Sequence, residues 1–440
     1  MIWRINLFLA FILTSSQMGS LAQIAPFGDS LADFHPPKIS SLDSSYLQRF
    51  PVVDFDLNYF QFYTEESHNW EILFEKMSKM KESKQGKLNF YHVGGSHLQA
   101  DIYTHEVRTK FQSQNELLEG ERNWVFPYDL AKTNNPWNYE FTSPNIWKRY
   151  RSVVKAQANE AYGLSGIKIS CTDSISSMSF SYDKTKVKPV IQRIRIFHNK
   201  GAFPFRLDWK EQNENVEYTI TDTIIGFTEV KFKRPFISFE FEFERTIPSA
   251  YELEIYGLQL MNYFPGVSYS NIGTNGAALW NYLACARLEE ELKMTPPDFF
   301  AFSVGTNDGN VPPESFDPEE YKNNLERLMK IVLRTNPECA LLLTVPNDSY
   351  FHRSHLNPNI EKERTVIREL AQKYNCPVWD LYGIMGGLGS SKTWYINKLM
   401  QKDLVHFTKA GYHLKGDLYY DAFEKAERQF EARKIKTAKN

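Results

Sequence analysis

Ser96, Asp403 and His406 are the residues whose types and spacing carry chemistry in this chain. A serine hydroxyl becomes a useful nucleophile only when a neighbouring base takes its proton, and His406 can serve as that base. An imidazole in that role needs a carboxylate to orient it, and Asp403 stands three residues earlier, within local reach. Such a set performs acyl transfer through a tetrahedral intermediate, whose oxyanion needs donors aimed at it. The N–H groups of Ser96 and Gly276 and the side-chain amide of Asn307 are the candidate oxyanion hole. Gly276 closes the Asn-x-Gly-x-x-Gly pattern that starts at Asn271, and it is preferred to Gly273, which competes for the role. His97, beside the candidate nucleophile, is a candidate to line the site. This chemistry needs no metal and no organic cofactor.

These residues sit where a particular architecture would bring them together. Four segments share one pattern: a short apolar run, a polar or glycine-bearing turn, then a helical period. Leu88–Val93 leads to Gly94-Gly95-Ser96, with a helix expected to about Gln112; Val267–Ser270 leads to Asn271-Ile272-Gly273, with a helix over Ala277–Leu292. Asp298–Val304 leads to Gly305-Thr306-Asn307-Asp308 and a helix from about Pro318 to Arg334; Ala340–Val345 leads to Pro346-Asn347-Asp348 and a helix over Asn359–Tyr374. Pro377–Leu381 adds a fifth strand, and a last helix runs from about Thr408 to Arg433. Apolar strands alternating with such helices predict an α/β domain with a parallel sheet covered on both faces. Ligands of open parallel sheets lie beyond the carboxyl ends of the strands, and there Ser96, Gly276 and Asn307 fall.

Residues 124–262 break the pattern. Short alternating runs dominate, such as Phe236 to Phe243, with one apolar face and few plausible helices. An all-β, jelly-roll-like sandwich is expected there, inserted between the first part of the α/β domain (67–123) and its second part (263–433). Residues 23–66 read as an irregular leader. Residues 1–22 read as a signal peptide, with Arg4, an apolar run Ile5–Leu13 and small residues at Ser20-Leu21-Ala22, so an exported protein, periplasmic or secreted, is expected. No later segment is apolar and long enough to span a bilayer. A formal net charge of −2 gives no sign of a nucleic-acid partner. Of Cys171, Cys285, Cys339 and Cys376, the pair Cys339 and Cys376 is the candidate disulfide, since both precede strands of one sheet.

The blocks Ser, Gly, Asn and Asp-x-x-His, in this order, resemble those of the SGNH (GDSL-like) hydrolases. Asp403-Leu404-Val405-His406 with Phe407-Thr408-Lys409-Ala410-Gly411-Tyr412 is the most specific match, and Val304-Gly305-Thr306-Asn307-Asp308 is next. The resemblance implies a flavodoxin-like, three-layer hydrolase domain and the roles assigned above. More narrowly, His92–Asp101 and Trp379–Gly387 resemble blocks of bacterial peptidoglycan O-acetylesterases, which carry a carbohydrate-binding-like β-sandwich at the same place. The family's first block usually has aspartate where this chain has Gly95. The expectation is a carbohydrate O-acetylesterase acting on an O-acetylated glycan, peptidoglycan first. The alternatives are an O-acetyltransferase, a lipase or thioesterase with the same triad, and an inactive glycan-binding protein.

Two other motifs are set aside. Gly28-Asp29-Ser30-Leu31 matches the family's namesake string, but no strand precedes it and no amphipathic helix follows, whereas Ser96 has both. His352 and His355 lack an acidic or cysteine partner at metal-ligand spacing and are expected to be exposed or at a substrate rim.

Overall fold

The computed structural model describes residues 42–113, 120–186, 188–248 and 251–439. The expected signal peptide and Ser30 lie outside the described residues.

Five parallel strands build the central sheet, in the spatial order Gly266–Gly273, Lys87–Gly94, Phe299–Ser303, Ala340–Val345, Val378–Asp380. In chain order this is 2-1-3-4-5, the flavodoxin-like winding, which reverses direction between the first and third strands. Alternation sends successive side chains to opposite faces. Phe90, Phe299 and Ala301 join one core with the helices His68–Ser83, Tyr103–Ser113 and Lys409–Lys439. Tyr91, Phe300 and Phe302 join the other, against Pro318–Thr335 and Asn359–Tyr374. The helix from Pro318 shows why such segments form: Asp317 caps it by accepting from the N–H groups of Glu319 and Glu320, proline takes the first turn, and Tyr321, Leu325, Leu328 and Val332 make its buried stripe.

Four expectations change. The helix after Ser96 is two helices, Ser96–Gln99 and Tyr103–Ser113, because Asp101 between them adopts φ +48° with its carboxylate buried. The helix over Ala277–Leu292 is likewise two, Leu279–Leu283 and Leu288–Lys293. At their junction Arg287 is drawn to the insert: its N–H donates to Tyr162 O and its guanidinium to the carbonyls of His198, Ile225 and Gly226. The expected irregular leader is, from Leu42 onward, part of the α/β domain. Phe60–Gln61 adds an antiparallel edge strand beside Val378–Trp379, and buried Asn58 bonds Leu418 O, Asp421 and Trp379. The candidate disulfide is absent: Cys339 and Cys376 are buried free thiols.

The insert is two antiparallel sheets. One runs Val216–Asp222, Phe227–Phe236, Ile191–His198, Leu253–Met261, Ile167–Cys171, Lys148–Arg151, and Asn123–Val125 also pairs with Leu253–Met261. The other runs Tyr139–Thr142, Ile175–Tyr182, Phe239–Arg245, Phe205–Asp208. Phe239, Phe241 and Phe243 face inward and pack with Phe180, Trp209 and Ile169 in one apolar core, while Glu240 is exposed. At the neck, Glu121 accepts from Lys87 Nζ (2.5 Å) and from the N–H of Asn262 (2.8 Å), so the chain entering the insert is held to the chain leaving it. Among the described residues no helix is long and apolar enough to cross a membrane.

Candidate active site

Ser96 starts the helix that follows the first strand, and Asn307 follows the third, so both sit at the sheet's switch point. Ser96 Oγ lies 2.8 Å from His406 Nε2. His406 Nδ1 lies 2.7 Å from Asp403 Oδ2. The other carboxylate oxygen of Asp403 accepts from the N–H groups of Val405 (3.1 Å) and His406 (3.0 Å). One aspartate thus folds its own turn and orients the imidazole, which accounts for the three-residue spacing; Leu404 makes the turn at φ +55°. Burial raises the Asp403 carboxyl, but the bonds from the His406 ring and the two N–H groups outweigh it and hold the group down at about 2. A charged Asp403 places the imidazole proton on Nδ1 and leaves Nε2 to accept from Ser96.

A cavity of about 460 Å³ opens here, and Ser96, Gly276, Asn307 and His406 all line it. Gly276 has φ +82°, a conformation that favours glycine. The Asn307 amide donates one hydrogen to Ala277 O at 2.9 Å and keeps a second for a ligand. A Cβ on Gly95 would stand 3.0 Å from that amide nitrogen, so glycine at this position leaves Asn307 its place. Gly273 is not in the cavity wall. A Cβ there would meet the Gln99 backbone nitrogen at 2.0 Å, and its carbonyl accepts from Tyr128 Oη, so Gly273 seats the Ser96 helix on the sheet.

His97 is buried behind the site. Its ring centroid is 5.1 Å from that of His406, its Nδ1 bonds Tyr412 Oη at 3.0 Å, and it does not line the cavity. Burial, then the charge of Lys415, holds its basicity well below the ordinary histidine value. Lys415 itself is buried against the rings of Tyr103 and Phe407, and burial lowers it to about 7. His352 reaches the cavity wall and is exposed, as a rim histidine should be; His355 is exposed and does not line it.

Several positioning residues escaped the sequence reading. Gln99 accepts from the N–H of Asn275 at 2.6 Å and donates to Asn134 O, tying the Gly276 loop to the Ser96 helix. Tyr282 Oη donates to Gly94 O at 2.5 Å. Asp101 accepts from Arg108 (2.8 Å), Arg122 (2.6 Å) and Asn138 (2.9 Å). Gln99 and Asp101 lie inside the block that starts at His92, but Asn275, Asn134, Arg122 and Asn138, which they bond, come from later segments with no local motif.

A Ser-His-Asp hydrogen-bond chain at the switch point of a sheet of this winding is an arrangement able to carry out acyl transfer. Residues 255–414 match the model of the GDSL-like lipase/acylhydrolase family. The match takes in Gly276, Asn307, Asp403 and His406; Ser96 precedes it because the insert separates the first block from the rest. A solved peptidoglycan O-acetylesterase is similar over 84% of this chain and 99% of its own, with 18% identity and a TM-score of 0.69, so the two share their fold. An acetyl xylan esterase (21% identity, 36% of this chain and 81% of that one, TM-score 0.29) and a lipase/acylhydrolase from Enterococcus faecalis (24%, 37% and 77%, TM-score 0.30) match a smaller part. No curated protein matches the chain.

Proposed function

We propose that this protein is a carbohydrate O-acetylesterase working through an acyl-enzyme. His406 Nε2 takes the Ser96 proton as Oγ attacks the acetyl carbonyl. The N–H groups of Ser96 and Gly276 and the Asn307 amide receive the oxyanion. His406 then returns the proton to the departing sugar oxygen, and water, activated by the same imidazole, releases acetate and frees Ser96. The observation that carries this reading is the continuous Asp403–His406–Ser96 hydrogen-bond relay opening on a cavity that also holds Gly276 and Asn307. The wall is rich in amides and hydroxyls: Asn134, Asn275, Thr306 and Asn310 suit a sugar better than a long acyl chain. Peptidoglycan is the leading glycan on two supports: the block resemblance around Ser96 and the shared fold, insert included, with a peptidoglycan O-acetylesterase. The signal-like amino terminus supports export to where such a glycan lies.

The test is acetate release from O-acetylated peptidoglycan and from acetylated xylan by the mature protein and by Ser96→Ala and Ser30→Ala. Release abolished by Ser96→Ala and kept by Ser30→Ala supports the reading. No release from either glycan by the intact protein would sink it, and transfer of acetyl to an added glycan would replace it with a transferase.

A further inference from the structure

The cavity over Ser96 has a polarity of charge that the chain as a whole lacks. The protein carries a formal net charge of −2, yet no carboxylate lines the cavity and Arg353 does. Arg353 lies on the hairpin formed by Tyr350–Phe351 and His355–Leu356, and the N–H of Tyr350 donates to Leu404 O, so this hairpin is tied to the Asp403–His406 turn. No carboxylate of the described residues pairs with the Arg353 guanidinium. Arg353 is exposed at the cavity rim, whereas the buried Arg195 pairs with Glu229 and the buried Arg108 and Arg122 with Asp101.

A second set of unmatched cations arrives from the insert. Lys148–Arg151 is the edge strand of its larger sheet. Arg151 Nη2 donates to Asn275 O at 2.8 Å, and Asn275 lines the cavity beside Gly276. Arg151 Nε is buried with no hydrogen-bond partner among the described residues. Arg149 makes only a 3.4 Å contact to Lys132 O, and neither arginine has a carboxylate partner among the described residues. Burial and the neighbouring Arg149 charge both push Arg151 below its ordinary value. Neither arginine lines the cavity itself, but as residues i and i+2 of one strand they share a face of the sheet, and Arg151 reaches the cavity wall through Asn275, so an anion held at the rim would relieve their mutual repulsion.

Resting on the esterase reading above, we propose that Arg353 and the Arg149–Arg151 pair recognise carboxylates, so that the substrate is an acidic O-acetylated glycan and the insert contributes directly to its selection. The carboxylates have two possible sources, the stem peptides of peptidoglycan and the uronic acids of an acidic polysaccharide. A neutral acetylated xylan offers neither.

The experiment reads binding without turnover, using the full chain with Ser96→Ala. Its probes are O-acetylated peptidoglycan fragments and O-acetylated oligogalacturonate, each beside a twin whose carboxyls are amidated with methylamine. Calorimetry gives a dissociation constant for all four, repeated with Arg149→Gln and Arg353→Gln added. The expected result is binding about tenfold tighter for at least one free-acid probe than for its twin, about 1.4 kcal/mol. That preference shrinks in 0.5 M salt and falls within about twofold in the arginine-substituted protein. Preference confined to one probe identifies the carboxylate source. Equal binding of acid and twin for both probes, a preference that survives the arginine substitutions, or no binding of any probe overturns the proposal. The ratio is taken within each variant, so partial loss of folded protein cancels. Failure of the esterase reading appears separately, as absence of acetate release by the unsubstituted protein.

Discussion

The turn after the first strand and the turn after the third each place a candidate site residue and, within five residues of it, an aspartate, fully buried at Asp101 and half-buried at Asp308. Their fates differ. Asp101, behind Ser96, has its oxygens occupied by Arg108, Arg122, Thr104 and Asn138. Burial pushes its carboxyl up, but Arg108 and then Arg122 overcome that and hold it below the usual carboxylate range. Asp308, beside Asn307, accepts from the N–H of Leu279 at 3.0 Å through one oxygen, and the other has no partner among the described residues. Burial raises it to about 7. Glu363, buried nearby, is raised by its own burial and by Asp308. Asp101 is fully buried and Asp308 half-buried, yet it is the more deeply buried carboxyl that is held down, because guanidinium groups stand beside it. The Ser96 turn is braced by ion pairs, and the Asn307 turn by backbone bonds and by carboxyls that burial pushes up.

Four substitutions test this contrast. Ser96→Ala removes the reacting atom, and acetate release should fall by about 10⁴-fold or more at unchanged folded content. Residual activity near wild type would place the nucleophile elsewhere. Asp101→Asn keeps the shape and tolerates the left-handed φ but strands two buried guanidiniums; denaturant titration should show a loss of about 3–5 kcal/mol. A change under about 1 kcal/mol would mean that the ion pairs do not brace this turn. Asn307→Ala should lower kcat by about 10²–10³-fold with stability nearly kept. An effect confined to KM would assign Asn307 to ground-state binding instead.

Asp308→Asn carries the smallest expected effect and the opposite sign. A carboxyl raised in the folded state binds its proton more tightly there than when unfolded. Its contribution to stability therefore declines as pH climbs from the ordinary carboxyl value of 3.8 to about 7. Asparagine does not titrate and still accepts from Leu279, so the change in Tm on substitution should be more positive at pH 8 than at pH 5, by about 1–3 °C. Equal changes at the two pH values would show that Asp308 ionises freely.

What the sequence displayed followed from periodicity. Strands such as Ala340–Val345 and the helix Asn359–Tyr374 were legible because their apolar spacing and flanking turns agree. The Asp403–His406 pair was legible because its bonds are local, made within one turn. The double-helix break at Asp101 was hidden because its cause, Arg122, belongs to the chain entering the insert. The break at Arg287 was hidden for the same reason, its partners being carbonyls of the insert. The edge strand Phe60–Gln61 is too short to show a period, and its place is set by Val378–Trp379, more than three hundred residues on. The arginines around the cavity carry no motif at all; only the fold gathers them.

The neck at Lys87, Glu121 and Asn262 bears on time as well as on shape. The central sheet's first strand must find Gly266–Gly273 across the whole insert, a contact of long sequence separation that slows folding. Pairing of Asn123–Val125 with Leu258–Leu260 inside the sandwich brings the two ends of that loop together beforehand. Refolding followed by pulsed hydrogen exchange should therefore show Leu258–Leu260 protected before Tyr269–Ile272; the reverse order would refute this. On that order the insert acts as a built-in assembly jig, handing its own ends, already aligned, to the sheet that holds Ser96.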